Sequence, residues 1–443
     1  MTTFIPEPHL LRSPRGRDWP VLPGAAPVPE PAAPPRRVDV AIVGAGLAGL
    51  AVTSALWHLG VHDVALLDAT GRTAGRFFDR VDMLRQHVLR SPYEHHPGVE
   101  GYRDCELLDF ARLHWARLTR VERREIRMAQ AGHRSVVPVD VFEAYCRHVA
   151  AIHHADERLW PAVVRAVRPD EDGVVLRADG FELTARFAIL CLGEERRAAP
   201  ESWWSGRRPA GVGYWDEPVP DAAESLVVLG AGLSSAHLIM NGLAAGRRVH
   251  WVLRAEAERF QCADVNSSFF RAEGRHRFDG VPWPDRLTLM RRERRASVMF
   301  EFRPLLARAE ADGRLVVHRG RPVSAVTAKP HGPVRTELAD GTWVEGDHLV
   351  LALGTTVSTG AALLPDGLAG PRDGWPDLDE RTLAYRNASR VFTVGAAAGM
   401  VLGPAARNID GHRVATARVA ATVAARLAGE PPVPADEKAR SLV

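Results

Sequence analysis

Two glycine-rich segments of the chain have the spacing that binds the pyrophosphate of a dinucleotide. The first, GAGLAG, places Gly44, Gly46 and Gly49 between an apolar run and a helical pattern. The first glycine permits a tight turn, the second lets a pyrophosphate approach the backbone, and the third allows a helix to pack closely on a strand. The second segment, GAGLSSA, contains Gly230 and Gly232. Backbone N–H groups at the start of each following helix would face the phosphates.

The residue 24 positions beyond the first glycine differs in charge between the two segments. It is Asp68 after Gly44 and Arg254 after Gly230. A carboxylate at this strand end accepts hydrogen bonds from ribose hydroxyls, whereas a guanidinium pairs with a 2′-phosphate. We therefore predict FAD at the first site and NADPH at the second. Two dinucleotides are needed because one delivers a hydride and the other receives it.

The elements around these motifs form two similar units. The residues 38–43 read as a buried strand, 47–60 as a helix and 63–68 as a second strand, which together make a βαβ unit. Short strands followed by an apolar strand and a glycine occur at 163–193 and again at 332–356. This repetition predicts an α/β fold with two Rossmann-like dinucleotide-binding domains, the NADPH domain being inserted into a discontinuous FAD domain.

The predicted division of the chain follows from these motifs and from composition. Residues 1–36 contain ten prolines and are predicted to be an extended or disordered arm. The remaining units are a first part of the FAD domain over 37–222, an NADPH domain over 223–334, a second part of the FAD domain over 335–430, and a tail over 431–443. Asp140 and Glu143 have the spacing of a capping box at the start of a helix over 139–154.

Composition excludes several classes of protein. The net charge of +3 is small for 443 residues, and the arginine run at 291–297 is interrupted by Glu293, so we interpret it as a solvated helix face rather than a nucleic-acid site. The four cysteines are far apart and form no CxxC pair, which argues against a redox dithiol or a zinc site and fits a cytoplasmic location. No apolar run approaches the ~18 residues of a membrane helix.

With these residues together, the chain resembles two-dinucleotide-domain flavoproteins, and among them FAD- and NADPH-dependent monooxygenases of the FMO, Baeyer–Villiger and amine N-hydroxylating types. The resemblance covers roughly residues 37–430 and depends on GAGLAG, Asp68, GAGLSSA with Arg254, and the strand-plus-glycine segments AILCLG and LVLALGTT. It places Gly395 near the flavin, where many relatives have Gly-Asp and this chain has Gly-Ala. The phenylalanine and histidine of the FxGxxxHxxx(W/P) fingerprint are absent from 203–225, which favours the amine N-hydroxylating type.

The resemblance also implies a set of site residues. The segment ADVNSSFF over 263–270 lies where amine N-hydroxylating relatives often have a polar, asparagine-containing stretch. An ordinary Asx turn is the alternative for Asn266, and structural or surface roles are the alternatives for His95 and His96. The predicted FAD contacts are Gly44, Gly46, Gly49, Asp68, Arg76, Gln86, Arg90, Ser91, Val164, Gly354 and Gly395. The predicted NADPH contacts are Gly230, Gly232, Ser234, Ser235 and Arg254, and the catalytic candidates are Asn266, Ser267, His95 and His96, with no metal.

These observations predict an NADPH-dependent flavin monooxygenase that reduces FAD, forms a C4a-(hydro)peroxyflavin and oxygenates a small molecule, by N-hydroxylation of an amine or amino acid in first place. An NADPH:acceptor flavin oxidoreductase without oxygen transfer and a flavin-binding redox sensor remain as alternatives. The expected partners are a small-molecule substrate and O₂, with no nucleic acid and no membrane. A homo-oligomer is compatible with the sequence.

Overall fold

The computed structural model describes residues 11–20, 33–98, 106–329, 332–368 and 374–429. Its strands are β1 (Arg37–Val43), β2 (Val64–Asp68), β3 (Val88–Leu89), β4 (Val137–Pro138), β5 (Leu159–Pro161), β6 (Val164–Pro169), β7 (Val174–Ala178), β8 (Phe181–Leu190), β9 (Glu194–Arg196), β10 (Val212–Tyr214), β11 (Ser225–Leu229), β12 (Arg248–Val252), β13 (Leu315–His318), β14 (Val323–Ala328), β15 (Val334–Leu338), β16 (Trp343–Gly346), β17 (His348–Leu351), β18 (Thr355–Val357), β19 (Ala384–Tyr385) and β20 (Ala388–Thr393). Its helices are α1 (Leu47–His58), α2 (Gly75–Met83), α3 (Glu106–Leu113), α4 (Arg120–Gln130), α5 (Val139–Ile152), α6 (Leu233–Ala244), α7 (Ala272–Asp279), α8 (Trp283–Glu293), α9 (Arg303–Ala311), α10 (Gly399–Leu402) and α11 (Ile409–Leu427).

The first sheet carries the first glycine motif. Its strands follow the order β19-β20-β8-β1-β2-β5, parallel except for the edge strand β19, and the antiparallel strands β7 and β6 extend it from β8. The central strands are buried along most of their length, which is typical of parallel sheets with both faces covered. Helix α1 is buried over ten of its residues and packs against α11 and α5. The carboxyl ends of β1, β8 and β20 therefore meet at one edge, beside the glycine motif.

The second sheet repeats this arrangement with a different segment of the chain. Its order is β10-β17-β11-β12-β13, and every pair is parallel. Strands β11, β12 and β17 correspond to β1, β2 and β8, and the antiparallel strands β14–β16 correspond to the β6–β7 hairpin. The predicted fold class, two Rossmann-like units with one inserted into the other, is confirmed.

The predicted domain boundaries need correction at both ends of the insertion. Strand β10 precedes residue 223, and β17 follows residue 334, yet both pair within the second sheet. The inserted unit therefore extends at least from 212 to 351. The predicted boundary at 334 lies too early in the chain because the apolar strand over 348–351, β17, resembles β8 of the first sheet. Each unit contains one such strand, and β17 was assigned to the FAD domain instead of the inserted unit.

The two units share an apolar interface. Leu84, Val88 and Val136 belong to the first unit in sequence but pack in the core of the second, together with Leu238 and Phe302. A two-stranded ladder of β9 and β18 links the sheets nearby. Apolar packing of this kind opposes relative motion of the two units, each of which carries one glycine motif.

Two polar contacts, one ion pair and one neutral hydrogen bond, reinforce this interface. Arg134 forms an ion pair with Glu301, whose side chain is fully buried. The side-chain amide of Asn241 donates to the carbonyl oxygen of Leu84 at 2.8 Å. Both contacts join residues that are more than 150 positions apart in the chain, so the interface is formed by tertiary packing and leaves no local pattern in the sequence.

Residues 11–20 contradict the prediction of a disordered arm. Trp19 is 8% exposed and lies in the first core, where its indole N–H donates to Asp140 at 2.8 Å. Arg17 bridges the buried carboxylates of Asp140, at 2.6 Å, and Glu122, at 2.7 Å. Removing a charge partner from a buried carboxylate is strongly destabilising, so this short segment is an integral part of the first unit. Residues 1–10, 21–32 and the predicted tail from 431 lie outside the described residues.

The same contacts explain why the predicted capping box is wrong. Helix α5 begins after Pro138, and its N-terminus has no side-chain cap in the described structure. Asp140 has the right spacing for a cap, but its carboxylate is taken by Arg17 and Trp19. A tertiary partner 121 or more residues away has replaced the local one. Among the described residues, no helix is both long and apolar enough to cross a membrane.

Candidate dinucleotide sites and active site

The first glycine loop has the geometry of a phosphate cradle. Gly44 has φ +99°, and a β-carbon there would collide with the carbonyl oxygen of Cys191, so the position requires glycine. A β-carbon at Gly49 would collide with the carbonyl oxygen of Gly44, which shows how closely α1 packs against the loop. At Gly46 no described atom lies within 4 Å of the β-carbon position. Gly44 and Gly49 thus require glycine for packing, as their spacing predicts, and the open space at Gly46 is compatible with the predicted approach of a pyrophosphate.

Gly46 also leads directly into α1, and no side chain of the described residues caps this helix. The first N–H groups of a helix have no intrahelical partner and carry partial positive charge. Open space at Gly46 and uncapped N–H groups on α1 face the same volume. Because these N–H groups carry partial positive charge, the arrangement fits a pyrophosphate without a lysine or arginine side chain.

Asp68 ends β2 beside this loop. Its Oδ2 accepts a hydrogen bond from the Ala45 N–H at 2.8 Å, and its Oδ1 accepts from the N–H and hydroxyl of Thr70 at 2.8 and 2.6 Å. Two carboxylate oxygens accept about four hydrogen bonds, so capacity remains for a ribose hydroxyl. The protein bonds fix the orientation of the carboxylate towards the glycine loop, which is where the adenosine ribose of a bound dinucleotide would lie.

The second loop repeats the cradle with one change. Gly230 has φ +142°, and a β-carbon there would collide with the carbonyl oxygen of Ala352, while no described atom approaches the β-carbon position of Gly232 within 4 Å. Ser235 replaces the third glycine and is fully buried, with its Oγ 2.8 Å from the β-carbon position of Gly230. Ser234 is half-buried on the first turn of α6, which no described side chain caps. This loop therefore also fits a pyrophosphate.

The strand pairing shows that the residue equivalent to Asp68 in the second unit lies one position before the predicted Arg254. Val43 pairs with Leu67, so Asp68 follows directly, whereas Leu229 pairs with Val252, so the equivalent of Asp68 is Leu253. Arg254 lies one position further on. The count of 24 residues misplaced the equivalence because the second unit is one residue shorter between its glycine and the paired strand end.

The chemistry of this strand end nevertheless suits a phosphate. Leu253 is fully buried and apolar, so no carboxylate is present to bind a free ribose or repel a 2′-phosphate. Arg254 is exposed and makes no hydrogen bond or ion pair with any described residue. An unpaired guanidinium beside the second glycine loop is available to an anion from solvent.

Three of the residues predicted to contact the flavin have hydrogen-bond partners within the protein. Arg76 binds Glu195 through both terminal nitrogens, one at 2.8 Å, and so clamps α2 to β9. The side-chain amide of Gln86 is buried and donates to the Val88 carbonyl at 2.9 Å. Arg90 donates to the hydroxyl of Ser297 at 3.1 Å and to its carbonyl oxygen. These three side chains are committed to protein partners, which leaves their predicted flavin contacts as predictions.

The remaining predicted FAD residues lie at different places. Ser91 is half-buried in the loop after β3, and Val164 is buried at the start of β6. Gly354 has φ +82° and open space at its β-carbon position, just before β18. Gly395 has φ +96° at the end of β20, close to Ala48 of α1 and His412 of α11. Gly395 therefore lies at the same sheet edge as the first glycine loop.

His96, one catalytic candidate, has a core position. It is 1% exposed, and its Nδ1 lies 3.1 Å from the hydroxyl of Tyr145, which donates to Glu106 at 2.7 Å. Burial and the neighbouring Glu106 raise the pKa of Tyr145 well above its ordinary value. The neighbouring His95 is half-buried. The contacts of His96 match the structural alternative rather than the catalytic one.

Asn266, a further candidate, forms an Asx turn. Its side-chain oxygen accepts from the Ser268 N–H at 3.0 Å, and the residue itself is exposed. The side chain of Ser267 lies outside the described residues. This Asx turn is the structural alternative that the sequence left open for Asn266. It fixes the backbone of the segment and does not exclude a role for the segment in the site.

A charged cluster that sequence reasoning missed anchors this same segment. Asp264 forms an ion pair with Arg294 at 2.5 Å, and the side-chain amide of Asn408 donates to Asp264 at 2.9 Å. Arg407 pairs with Glu194 of β9 and donates to Thr355 of β18. Arg294 belongs to the run predicted to be solvated, and that prediction is wrong for this residue, which is 17% exposed.

Burial and charge oppose each other within the cluster. Burial favours the neutral carboxyl of Asp264, but Arg294 and Arg90 together hold its pKa below the ordinary value. Burial lowers the pKa of Arg294 to about 10, although Asp264 favours its charged form. The cluster joins the 263–270 segment to the start of α11 and the linker strands. Its members are separated by up to 213 residues, so spacing gave no signal for it.

Residues 41–195 match a family described as FAD-NAD(P)-binding. No curated protein matches the sequence. The family match supports the predicted FAD site, because it covers Gly44, Asp68 and the linker strand β9. Within the described residues, no group of three or more histidine, cysteine or acidic side chains could hold a metal ion.

Solved structures share the fold over most of both chains. The reduced form of ornithine hydroxylase from Pseudomonas aeruginosa is 17% identical with a TM-score of 0.70, and the match covers 88% of this chain and 99% of that one. The ornithine N-hydroxylase of Kutzneria sp. 744, solved with reduced FAD, NADP⁺ and L-ornithine, is 16% identical with a TM-score of 0.69 and coverage of 88% and 100%. Bacillithiol disulfide reductase from Bacillus cereus is 16% identical with a TM-score of 0.58 and coverage of 88% and 99%. The predicted resemblance to two-dinucleotide flavoproteins is confirmed at the level of the fold.

Proposed function

We propose that this protein is an FAD- and NADPH-dependent monooxygenase that hydroxylates the nitrogen of a small amine or amino acid. The observation that carries the proposal is a pair of dinucleotide cradles with unlike strand ends, Asp68 at the first and Leu253 with Arg254 at the second. The shared apolar core holds the two cradles in one relation. Bound FAD would supply the hydride-accepting and oxygen-activating chemistry that amino-acid side chains lack.

The chain's own residues would bind and orient the two nucleotides. The open positions at Gly46 and Gly232, each followed by an uncapped helix, would receive the two pyrophosphates. Asp68 would accept a hydrogen bond from a ribose hydroxyl of FAD. Arg254 would pair with the 2′-phosphate of NADPH, because a guanidinium binds phosphate through two parallel hydrogen bonds.

The predicted substrate segment lies between the two units. Val265, Phe269 and Phe278 of the inserted unit form an apolar cluster with Ala405, which precedes α11 of the first unit. The Asp264–Asn408 hydrogen bond lies beside this cluster. These contacts hold the segment that contains Asn266 against the start of α11, which supports the proposal that Asn266 lies near the substrate.

The likeness to ornithine hydroxylases supports nitrogen as the atom that is oxygenated. The test is to incubate purified protein with NADPH, O₂ and a panel of amines and basic amino acids. We expect FAD to be released on denaturation, one amine to stimulate NADPH oxidation, and the product to gain one oxygen atom as a hydroxylamine. The product is identified by mass spectrometry, and hydrogen peroxide is measured in parallel to account for NADPH oxidised without product.

The alternative is an NADPH:acceptor reductase, which the likeness to bacillithiol disulfide reductase favours. Against disulfide chemistry, Cys146 and Cys191 are buried, and burial raises the pKa of both thiols, which disfavours the reactive thiolate. The exposed Cys262 forms no disulfide with another described cysteine. Rapid NADPH oxidation with a disulfide or quinone acceptor, without an oxygenated product from any amine, would establish the reductase instead.

A flavin-binding redox sensor is the other alternative, and truncation of the N-terminal segment does not distinguish it from an enzyme. Deleting residues 1–36 would remove Arg17 and Trp19, and so expose the first core and leave Asp140 without its partners. Such a deletion would inactivate an enzyme and a sensor alike. Measuring turnover of the intact chain is therefore the discriminating experiment, because a sensor would give no multiple-turnover product.

A further inference from the structure

His412 lies where three elements of the first unit meet. It is on the first turn of α11, and its Nε2 is 3.5 Å from the point where a β-carbon of residue 395 would be. The β-carbon of Ala48, on the first turn of α1, is 4.0 Å from that same point. The imidazole therefore faces the edge formed by the glycine loop and the turn after β20. Parallel sheets bind nucleotides at this carboxyl edge.

One nitrogen of the His412 ring faces the open side of this turn. Its Nε2 faces Gly395, whereas its Nδ1 is enclosed by protein, and the Arg407 backbone is a hydrogen-bond partner of the ring. Burial lowers its pKa to about 4, against a smaller opposing effect of the Arg407 backbone. At neutral pH the imidazole is thus uncharged, with one nitrogen able to donate a hydrogen bond and the other able to accept one.

Buried polar groups in folded proteins are nearly always hydrogen-bonded, and because the Arg407 backbone already bonds the ring, Nε2 beside the open cradle is the nitrogen available to a further partner. Two features of the surroundings limit the choice. Gly395 and Ala48, which lie on the side that Nε2 faces, offer no side-chain polar atom, and the residue is half-buried, so bulk solvent does not fully hydrate it. The group that fits is a hydroxyl or phosphate oxygen of a molecule lying along α1.

Resting on the FAD site of the proposed function, we propose that His412 is a positioning residue that hydrogen-bonds the ribityl–pyrophosphate chain of FAD where it passes between Gly395 and α1. The residue that follows Gly395 is Ala396, which is buried and offers no polar side chain. His412 supplies from α11 the polar contact that the β20 turn lacks. It orients the cofactor and takes no part in the chemistry.

The test compares His412→Phe, which keeps the ring shape and removes both nitrogens, with His412→Gln, whose amide restores a donor and an acceptor. FAD binding to the full-length protein is measured by quenching of flavin fluorescence, and FAD release from the holoenzyme by its recovery after dilution. We expect the Phe variant to bind FAD about tenfold more weakly and to release it faster. The Gln variant should regain most of the loss.

Thermal unfolding with and without FAD separates a cofactor contact from a structural role. Phe should leave the FAD-free protein as stable as wild type and lower the stabilisation that FAD adds. The exposed His276 supplies a matched control, because His276→Phe should change neither quantity. NADP⁺ affinity should be unchanged in all three variants.

Each contrary outcome has one meaning. An FAD affinity in His412→Phe equal to that of wild type would overturn the inference and leave the proposed function intact. An equal loss of stability with and without FAD would overturn it by showing a packing role. A wild-type protein that binds no FAD would instead overturn the proposed function on which the inference rests.

Discussion

The two glycine loops have nearly the same backbone but different strand ends. Gly44 and Gly230 each require positive φ and each abut a carbonyl oxygen of the neighbouring strand. The first strand end presents Asp68, oriented by Ala45 and Thr70, whereas the second presents a buried Leu253 and an unpaired Arg254. Cradle and selectivity are therefore separable: glycines and strand pairing build the site for pyrophosphate, and one or two residues at the strand end select the nucleotide.

The largest expected effect tests the shared cradle. Gly44→Ala and Gly230→Ala should each destabilise the protein by about 3–5 kcal/mol, because the new methyl group collides with backbone and the backbone is strained as well. Urea denaturation followed by circular dichroism measures this. Gly132→Ala is the control, since Gly132 also has positive φ but open space around it, and should cost about 1–2 kcal/mol. Equal losses at all three positions would contradict the collision.

The next effect tests the unlike strand ends. Arg254→Ala should reduce the preference for NADPH over NADH by on the order of 10–100-fold, because a charge-assisted hydrogen bond contributes about 1.5–3 kcal/mol. Steady-state kinetics with both nucleotides gives the ratio. Arg247→Ala is the matched control, because Arg247 donates to the Pro220 carbonyl at the surface. A ratio unchanged in the Arg254 variant would move the 2′-phosphate site elsewhere.

A smaller effect asks whether the two loops serve different nucleotides. Gly46→Ala should weaken FAD binding about tenfold, since its methyl group would occupy the space predicted for the pyrophosphate, and should leave unliganded stability within about 0.5 kcal/mol. Gly232→Ala should weaken NADP⁺ binding by a similar factor and leave FAD bound. Titration of both nucleotides into both variants is the measurement. If both variants lost affinity for the same nucleotide, the conclusion that the two loops bind different nucleotides would be wrong.

The smallest effect concerns Glu125, which accepts a hydrogen bond from Val136 at the interface between the two units. Burial raises the pKa of Glu125, and the Val136 N–H opposes this only in part. A carboxyl whose folded pKa is raised destabilises the folded state as pH rises above its unfolded pKa near 4.3. Glu125→Gln should therefore melt at a higher temperature than wild type at pH 8, with the difference closing towards pH 4. A difference that is the same at both pH values would show that ionisation is not its cause.

Much of the fold could be predicted because its signals are local. The apolar runs that became β1, β2 and β11, and the glycines whose conformations only glycine adopts without strain, are set by nearby sequence. The roles of Gly44, Gly46 and Gly49 follow from spacing alone and agree with the space around each residue.

What could not be predicted depends on partners distant in the chain. Asp140 has the spacing of a helix cap but binds Arg17 and Trp19, and Arg76 binds Glu195. Arg294, which pairs with Asp264, lies in a run whose composition indicates solvent exposure. Spacing also misplaced the second strand end, because a count of residues cannot detect a connection that is one residue shorter.

The discontinuity of the first sheet has a consequence for how the chain is made. Every strand of the second sheet lies within 212–351, whereas the first sheet needs β20, from Ala388–Thr393, beside β8. Domains fold as units during synthesis from the N-terminus. The inserted unit is therefore the earlier of the two to be completed on the ribosome, and β1, β2 and β8 must wait for the last fifth of the chain before their sheet can close.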